Sequence, residues 1–421
     1  MFGMRGPERL LCLIVAIFTL CAGAPGWATA SVSDATNPDA IFLAPGFEEP
    51  LVPTAATSVE EDKALSQALK SYRESTTTDD FRPLEEFLTE HPHSSWRVAL
   101  LTNLGLSYYH RGYFSKTIDV LEEAWAEGRA ATEPRAKVLV DRSVGELLWM
   151  HARLGHSERL AELFDDIGDR PLTGPATELR TGGKEGLWTM RNDPGVAYLC
   201  GPMALRNLLL AQGTSPEKLD FLDRYRSSPR GVTLAELGRL ADEAKLSHRL
   251  IYREPGEPIP VPSVVHWKVN HFAAIVDEKD GQFQVQDPTF GEDLWVSRAA
   301  IDSEASGYFL VVGNEPRVTS RVVGPDEAID VRGMGITITN KPYATTGDDD
   351  NSKRCRSGRG GFSGMCGYNF TEMVVSLHLT DVPVGYAPQK AHPYIHGLRT
   401  TSENLTNLPI STSPISVQNG R

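Results

Sequence analysis

Cysteine is scarce, long apolar runs are missing and positive charge is in deficit. Five cysteines in 421 residues exclude a small scaffold held by disulfides. The longest apolar run, Leu10 to Ala22, is shorter than the ~20 residues a spanning helix needs, which excludes a multi-span membrane protein. Basic residues number 42 against 55 acidic ones, a net charge of −13. That sign repels phosphates and anionic lipid, so neither nucleic acid nor a membrane surface is expected as a main partner. No Cys/His spacing fits a zinc site, so neither metal nor other cofactor is implied. What is present is ordinary: 40% hydrophobic and 23% charged residues, the balance of a soluble globular chain long enough for two or three domains.

Arg5 and Arg9 precede the Leu10–Ala22 run, and Ala28-Thr29-Ala30 follows it. Basic, apolar and small segments in that order predict a secretory signal peptide over residues 1–30 and an exported protein, touching a membrane only through this transient segment. Removing it takes Cys12 and Cys21 along and leaves Cys200, Cys355 and Cys366. In an oxidising compartment, two near cysteines and a distant one suggest a Cys355–Cys366 bridge and a free Cys200 thiol. Residues 31–58 are rich in Ala, Pro, Ser and Thr and read as a linker.

From 59 to about 175 the pattern is helical. Gly105, Tyr108, Gly112, Leu121 and Ala124 resemble the helix–turn–helix spacing of tetratricopeptide repeats. Such an array would bind a peptide or partner on its concave face, or serve only as a helical packing domain. Near Gly186 the texture changes to short apolar runs and Pro/Gly turns, mixed with helices such as one opened by the capping box Thr233-Leu234-Ala235-Glu236.

Two segments there carry chemistry. Cys200-Gly201-Pro202 opens a predicted helix that runs to a stop at Gly213. Unpaired N–H groups and the positive dipole end at a helix start favour a thiolate, so Cys200 is a candidate nucleophile, against the alternative of an inert buried cysteine. The second segment, Val269 to Pro288, reads as a β-hairpin. A five-residue loop, 277–281, would set Val276 opposite Gln282, Ile275 opposite Phe283 and His271 opposite Asp287, within hydrogen-bonding range. A two-residue turn at Asp280-Gly281 would instead set Asp287 opposite Ala274. Cysteine, histidine and carboxylate together suit nucleophile, base and orienting group. His266 is the competing histidine and is read as a strand or cleft-wall residue.

The Cys-Gly-Pro helix, Gly231-Val232-Thr233-Leu234-Ala235-Glu236-Leu237, Asn270-His271-Phe272 and Asp287-Pro288-Thr289-Phe290-Gly291 resemble double-glycine (bacteriocin-processing) cysteine peptidases. The likeness covers about 185–313. It implies a papain-like α+β domain, Cys200 as nucleophile, His271 as base then acid, and Asp287 as orienting residue. His271 follows Cys200 far more closely than the ~130–150 residues of papain proper. Where that family carries a glutamine six residues before the cysteine, to hold the oxyanion, Pro194 stands; Asn192 is the substitute on offer, with the N–H of Cys200. A peptide or protein substrate follows, cut after small residues such as Gly-Gly. It could be a neighbouring secreted protein or the chain itself, for which Gly182-Gly183 and Gly360-Gly361 are weak candidate sites.

Residues 314–390 read as a short β-rich or irregular region. Met365-Cys366-Gly367-Tyr368-Asn369-Phe370 and the alternating run to Pro388 resemble the stretch just before the shell of RHS/YD-repeat proteins. Asp348-Asp349-Asp350 lacks the alternating spacing of a calcium loop and reads as a solvated turn. Residues 391–421, rich in Ser, Thr, Asn and Pro, read as a disordered tail, or as a shifted reading frame of that family. The expected whole is an α+β multidomain protein: a helical tetratricopeptide-like domain, a papain-like domain, then a short β/irregular region. Besides an active peptidase, a catalytically silent peptide-binding module and a structural part of an RHS assembly remain open.

Overall fold

The computed structural model describes residues 41, 44, 46–77, 79–291, 293–313 and 320–337. The leader, most of the expected 314–390 region (314–319 and 338–390, with Cys355, Cys366 and Gly360-Gly361), and the tail after 390 lie outside the described residues.

Seven helices come first: α1 (Val59–Glu74), α2 (Arg82–Glu90), α3 (Arg97–Tyr109), α4 (Phe114–Gly128), α5 (Pro134–Arg153), α6 (Ser157–Ile167) and α7 (Ala176–Asn192). Their starts follow capping chemistry. Ser58 accepts from the N–H of Glu61, and Glu133 accepts from Ala136 just ahead of Pro134, where a missing N–H costs nothing. Residues Val98 to Leu106 of α3 are buried without a break, so α3 lies inside the array rather than on its surface. Helices α3 to α6 have 13, 15, 20 and 11 residues and keep no constant length. The boundary expected between 175 and 185 falls inside α7, a continuous helix with Gly182, Gly183 and Gly186 buried.

The second half is built on a seven-stranded antiparallel sheet, β2 (His248–Tyr252), β3 (Ser263–Trp267), β4 (His271–Lys279), β5 (Gln282–Gln286), β6 (Asp293–Ser297), β7 (Ala305–Val312) and β8 (Arg321–Val322), in the order β6-β5-β4-β3-β7-β2-β8. A separate two-stranded ribbon pairs β1 (Val232–Thr233) with β9 (Arg332–Gly333). Helices α8 (Cys200–Ala211), α9 (Leu234–Glu243), α10 (Arg298–Glu304) and α11 (Pro325–Asp330) accompany it, with single helical turns at Pro194–Ala197, Pro216–Leu219 and Asp220–Asp223. The Thr233/Glu236 capping box forms at the start of α9.

Alternation along the strands separates two cores. Val265, Ala273, Ile275, Phe283, Val285 and Phe309 face the helical array, while Val264, Phe272, Ala274 and Leu310 share a core with α8 and α9. Both faces of the sheet are therefore covered, and His271 to Ile275 are all buried. Phe114 of α4 lies edge-on to Trp267 of β3, ring centroids 5.8 Å apart, so helical array and sheet share one core.

Candidate active site

Cys200 is the first residue of α8, Pro202 lies in its first turn, and Gly213 with φ +82° closes it. The sulfur is fully buried and the cysteine is free.

His271 opens β4, and its partner arrives by a route the sequence did not predict. The hairpin turns in two residues, Asp280 and Gly281, both with positive φ, and Lys279 pairs with Gln282. The five-residue loop does not form, nor do the pairs Val276–Gln282 and Ile275–Phe283. Left regular, that register would carry Asp287 to the Ala274 position and the opposite face. A bulge intervenes: Asp277 pairs with Gln284 but Ile275 with Val285, leaving Val276 as the extra residue. One step beyond the Ala274–Gln286 pair, Asp287 falls level with Ala273, on the face of His271 and diagonal to it.

There the carboxylate Oδ2 lies 2.7 Å from His271 Nε2, with both side chains 0% exposed. The other oxygen, Oδ1, accepts from the N–H groups of Thr289 (2.8 Å) and Phe290 (3.1 Å), so the turn after β5 fixes the carboxylate. Burial alone would lower the His271 pKa. The charge and hydrogen bond of Asp287 outweigh it, joined by the Cys200 thiol, and the net direction is upward. Nδ1 is buried and has no hydrogen-bond partner within bonding geometry among the described residues, yet the Cys200 side chain acts on the ring's charge. The ring thus gives one nitrogen to the carboxylate and leaves the other for the sulfur.

Asn192 is not brought to the site. It ends α7 on the surface, its Nδ2 donating to Trp188 O at 2.8 Å. The N–H of Cys200 donates to Gly335 O at 3.2 Å. His266, on strand β3, has both ring nitrogens engaged elsewhere: Nε2–H donates to Arg332 O (2.7 Å), and Nδ1 faces Ser306 Oγ (2.8 Å). Burial lowers its pKa to about 4, so it acts as a neutral donor. Thr289 was missed as a site residue. Its Oγ1 is buried without a hydrogen-bond partner among the described residues, and an atom added at Gly335 would sit 2.7 Å from it. Its place in the Asp287–Gly291 turn was the one available signal.

Residues 197–317 match the model of the Peptidase C39 family, which puts a cysteine-peptidase family domain in this half of the chain. A stretch of 118 residues, 28% of the chain, is 27% identical to the Colicin V secretion/processing ATP-binding protein CvaB of Escherichia coli and spans 16% of that protein's length. A solved double glycine motif protease from an AMS/PCAT transporter, in complex with its leader peptide, is 20% identical, with a TM-score of 0.23, over 28% of this chain and 84% of that one.

Proposed function

We propose that the chain is an exported thiol endopeptidase that cuts after small residues, Gly-Gly foremost, with Cys200 as nucleophile, His271 as base and acid and Asp287 as orienting group. The buried 2.7 Å contact between His271 and Asp287 carries this reading, because it turns the free ring nitrogen toward the only described cysteine. A cationic imidazole beside sulfur is the state in which a thiol attacks as thiolate. The sulfur adds to the scissile carbonyl, and the N–H of Cys200 meets the oxygen as it gains charge. The C–N bond breaks as His271 gives its proton to the leaving amine. Water, deprotonated by the same ring, then hydrolyses the thioester.

The match of residues 197–317 to the Peptidase C39 family supports a peptide substrate. Export rests on the order of residues 1–30, and attachment to an RHS-like scaffold on the 365–388 resemblance. One observation favours a silent peptide-binding module instead. Pro194 stands where a side-chain oxyanion donor belongs and Asn192 is turned away, a loss worth ~10²–10³ in turnover.

Incubating the purified full chain with a synthetic peptide containing a Gly-Gly pair, read by mass spectrometry, decides between the two. Cleavage after glycine that vanishes in Cys200→Ala and His271→Ala is expected. Binding of the peptide without cleavage would retire the peptidase reading in favour of the module.

A further inference from the structure

Residues Val331 to Ile336 run past Cys200 and His271, paired as strand β9 at Arg332–Gly333 and by a bridge from Ile336 to Tyr198. Leu234 N–H donates to Val331 O at 2.8 Å, His266 Nε2–H to Arg332 O at 2.7 Å, and Gly333 pairs with Val232. Met334 N–H donates to Asn270 O (2.8 Å), and Ile336 N–H to Arg153 O (2.7 Å) at the end of α5. Between them, Gly335 O accepts from the N–H of Cys200 at 3.2 Å. Main-chain pairing along an extended segment is how a peptide is added to a receptor as a strand, and here the receptor's own chain supplies the peptide.

The two residues nearest the reacting groups are glycines, and neither could be anything larger. A Cβ at Gly335 would lie 2.4 Å from His271 Nδ1 and 3.0 Å from Cys200 Cβ; one at Gly333 would lie 2.8 Å from Cys200 Sγ and 2.4 Å from Phe272. The main chain of Gly333-Met334-Gly335 is thus pressed onto the thiol and imidazole at both glycines. This segment lies beyond the family-matched residues 197–317, and nothing in that match requires it.

Resting on the peptidase reading above, we propose that this segment is the enzyme's substrate in cis and that Cys200 cuts the Gly335–Ile336 bond. The carbonyl that accepts from the Cys200 N–H identifies the bond, since that donor sits where the oxyanion forms. Sγ adds to the carbonyl carbon of Gly335. The bond to Ile336 N breaks, and the proton on His271 passes to that nitrogen. One water then hydrolyses the thioester, leaving a carboxylate on Gly335, a free amine on Ile336 and the thiol restored. Of the earlier candidate sites, Gly182 and Gly183 are buried within helix α7, where no extended segment can be offered, and Gly360-Gly361 lies outside the described residues.

The test is intact-mass measurement and N-terminal sequencing of the full chain, purified under reducing conditions and followed over time at several concentrations. Expected is a product beginning Ile336-Thr337, formed at a rate independent of protein concentration. Cys200→Ser, one atom changed, should stay whole, and Gly335→Val should cut at least ~10²-fold more slowly, as a misplaced reacting carbonyl does. Circular dichroism on both variants verifies folding, and Cys200→Ser alone suffices if Gly335→Val does not fold. A wild-type chain that stays whole yet cleaves the Gly-Gly peptide in trans overturns self-cleavage and leaves the peptidase reading intact. A chain that does neither overturns both. A cut at another bond, or one that persists in Cys200→Ser, also overturns the proposal.

Discussion

At the residue scale the pair His271–Asp287 combines two effects of opposite sign. Desolvation disfavours an imidazolium, and a buried carboxylate at 2.7 Å more than restores it. Asp287→Asn keeps the shape and removes the charge, so turnover on the Gly-Gly peptide should fall by up to ~10⁴, with a smaller effect on KM; steady-state kinetics check it. The same pair makes stability depend on pH. The His271 pKa rises from 6.5 unfolded to about 10 folded. Its contribution is therefore complete below pH 6.5 and is lost as pH rises toward 10. Urea unfolding across that window should show wild type losing stability relative to His271→Asn. A constant gap between the two would mean that the ring is neutral in the native state.

At the element scale, Cys200 at a helix start was legible because Pro202 and Gly213 punctuate the helix in the sequence. His271 and Asp287 were legible as a pair, but their register was not. Loop length decides which strand positions face each other, and the Val276 bulge leaves no trace in a pattern of alternating apolar residues. A turn of two residues plus one bulge brings Asp287 to the His271 face, where the sequence reading invoked five loop residues. Deleting Gln286 should move Asp287 level with Ala274, across the sheet, and abolish cleavage. Deleting Val276 should regularise the ladder without changing which face Asp287 occupies, and activity should survive. Equal loss in both deletions would show that the bulge itself, rather than the register, positions the carboxylate. The 331–336 segment was invisible for another reason: it lies beyond the peptidase-like stretch, and only folding brings its glycines to the thiol.

At the scale of the whole molecule, the sequence divided a helical half from a peptidase-like half, and the structure joins them through one shared core. Composition cannot reveal that the apolar faces of the helices and of the sheet are each other's solvent shield. Phe290, three residues after Asp287, stacks on Phe114 (4.9 Å between centroids) and meets Tyr109 (5.4 Å), Trp149 (5.3 Å) and the His271 ring itself (5.8 Å). One phenyl ring thus touches α3, α4, α5 and the proposed base. His156, just after α5, faces Val269 O two residues before His271, at 3.3 Å. The helices are then part of the wall that holds the imidazole, and loosening them should be felt in catalysis. Phe290→Ala removes the shared ring and leaves a cavity, a change that costs ~3–5 kcal/mol in a packed core. Denaturant unfolding should show that loss, and turnover at temperatures where the variant remains folded should fall together with it. Phe290→Leu, which refills most of the volume, should recover most of both. Stability lost with turnover untouched would mean that the helical array merely rests on the sheet and that Asp287 and its turn hold His271 unaided.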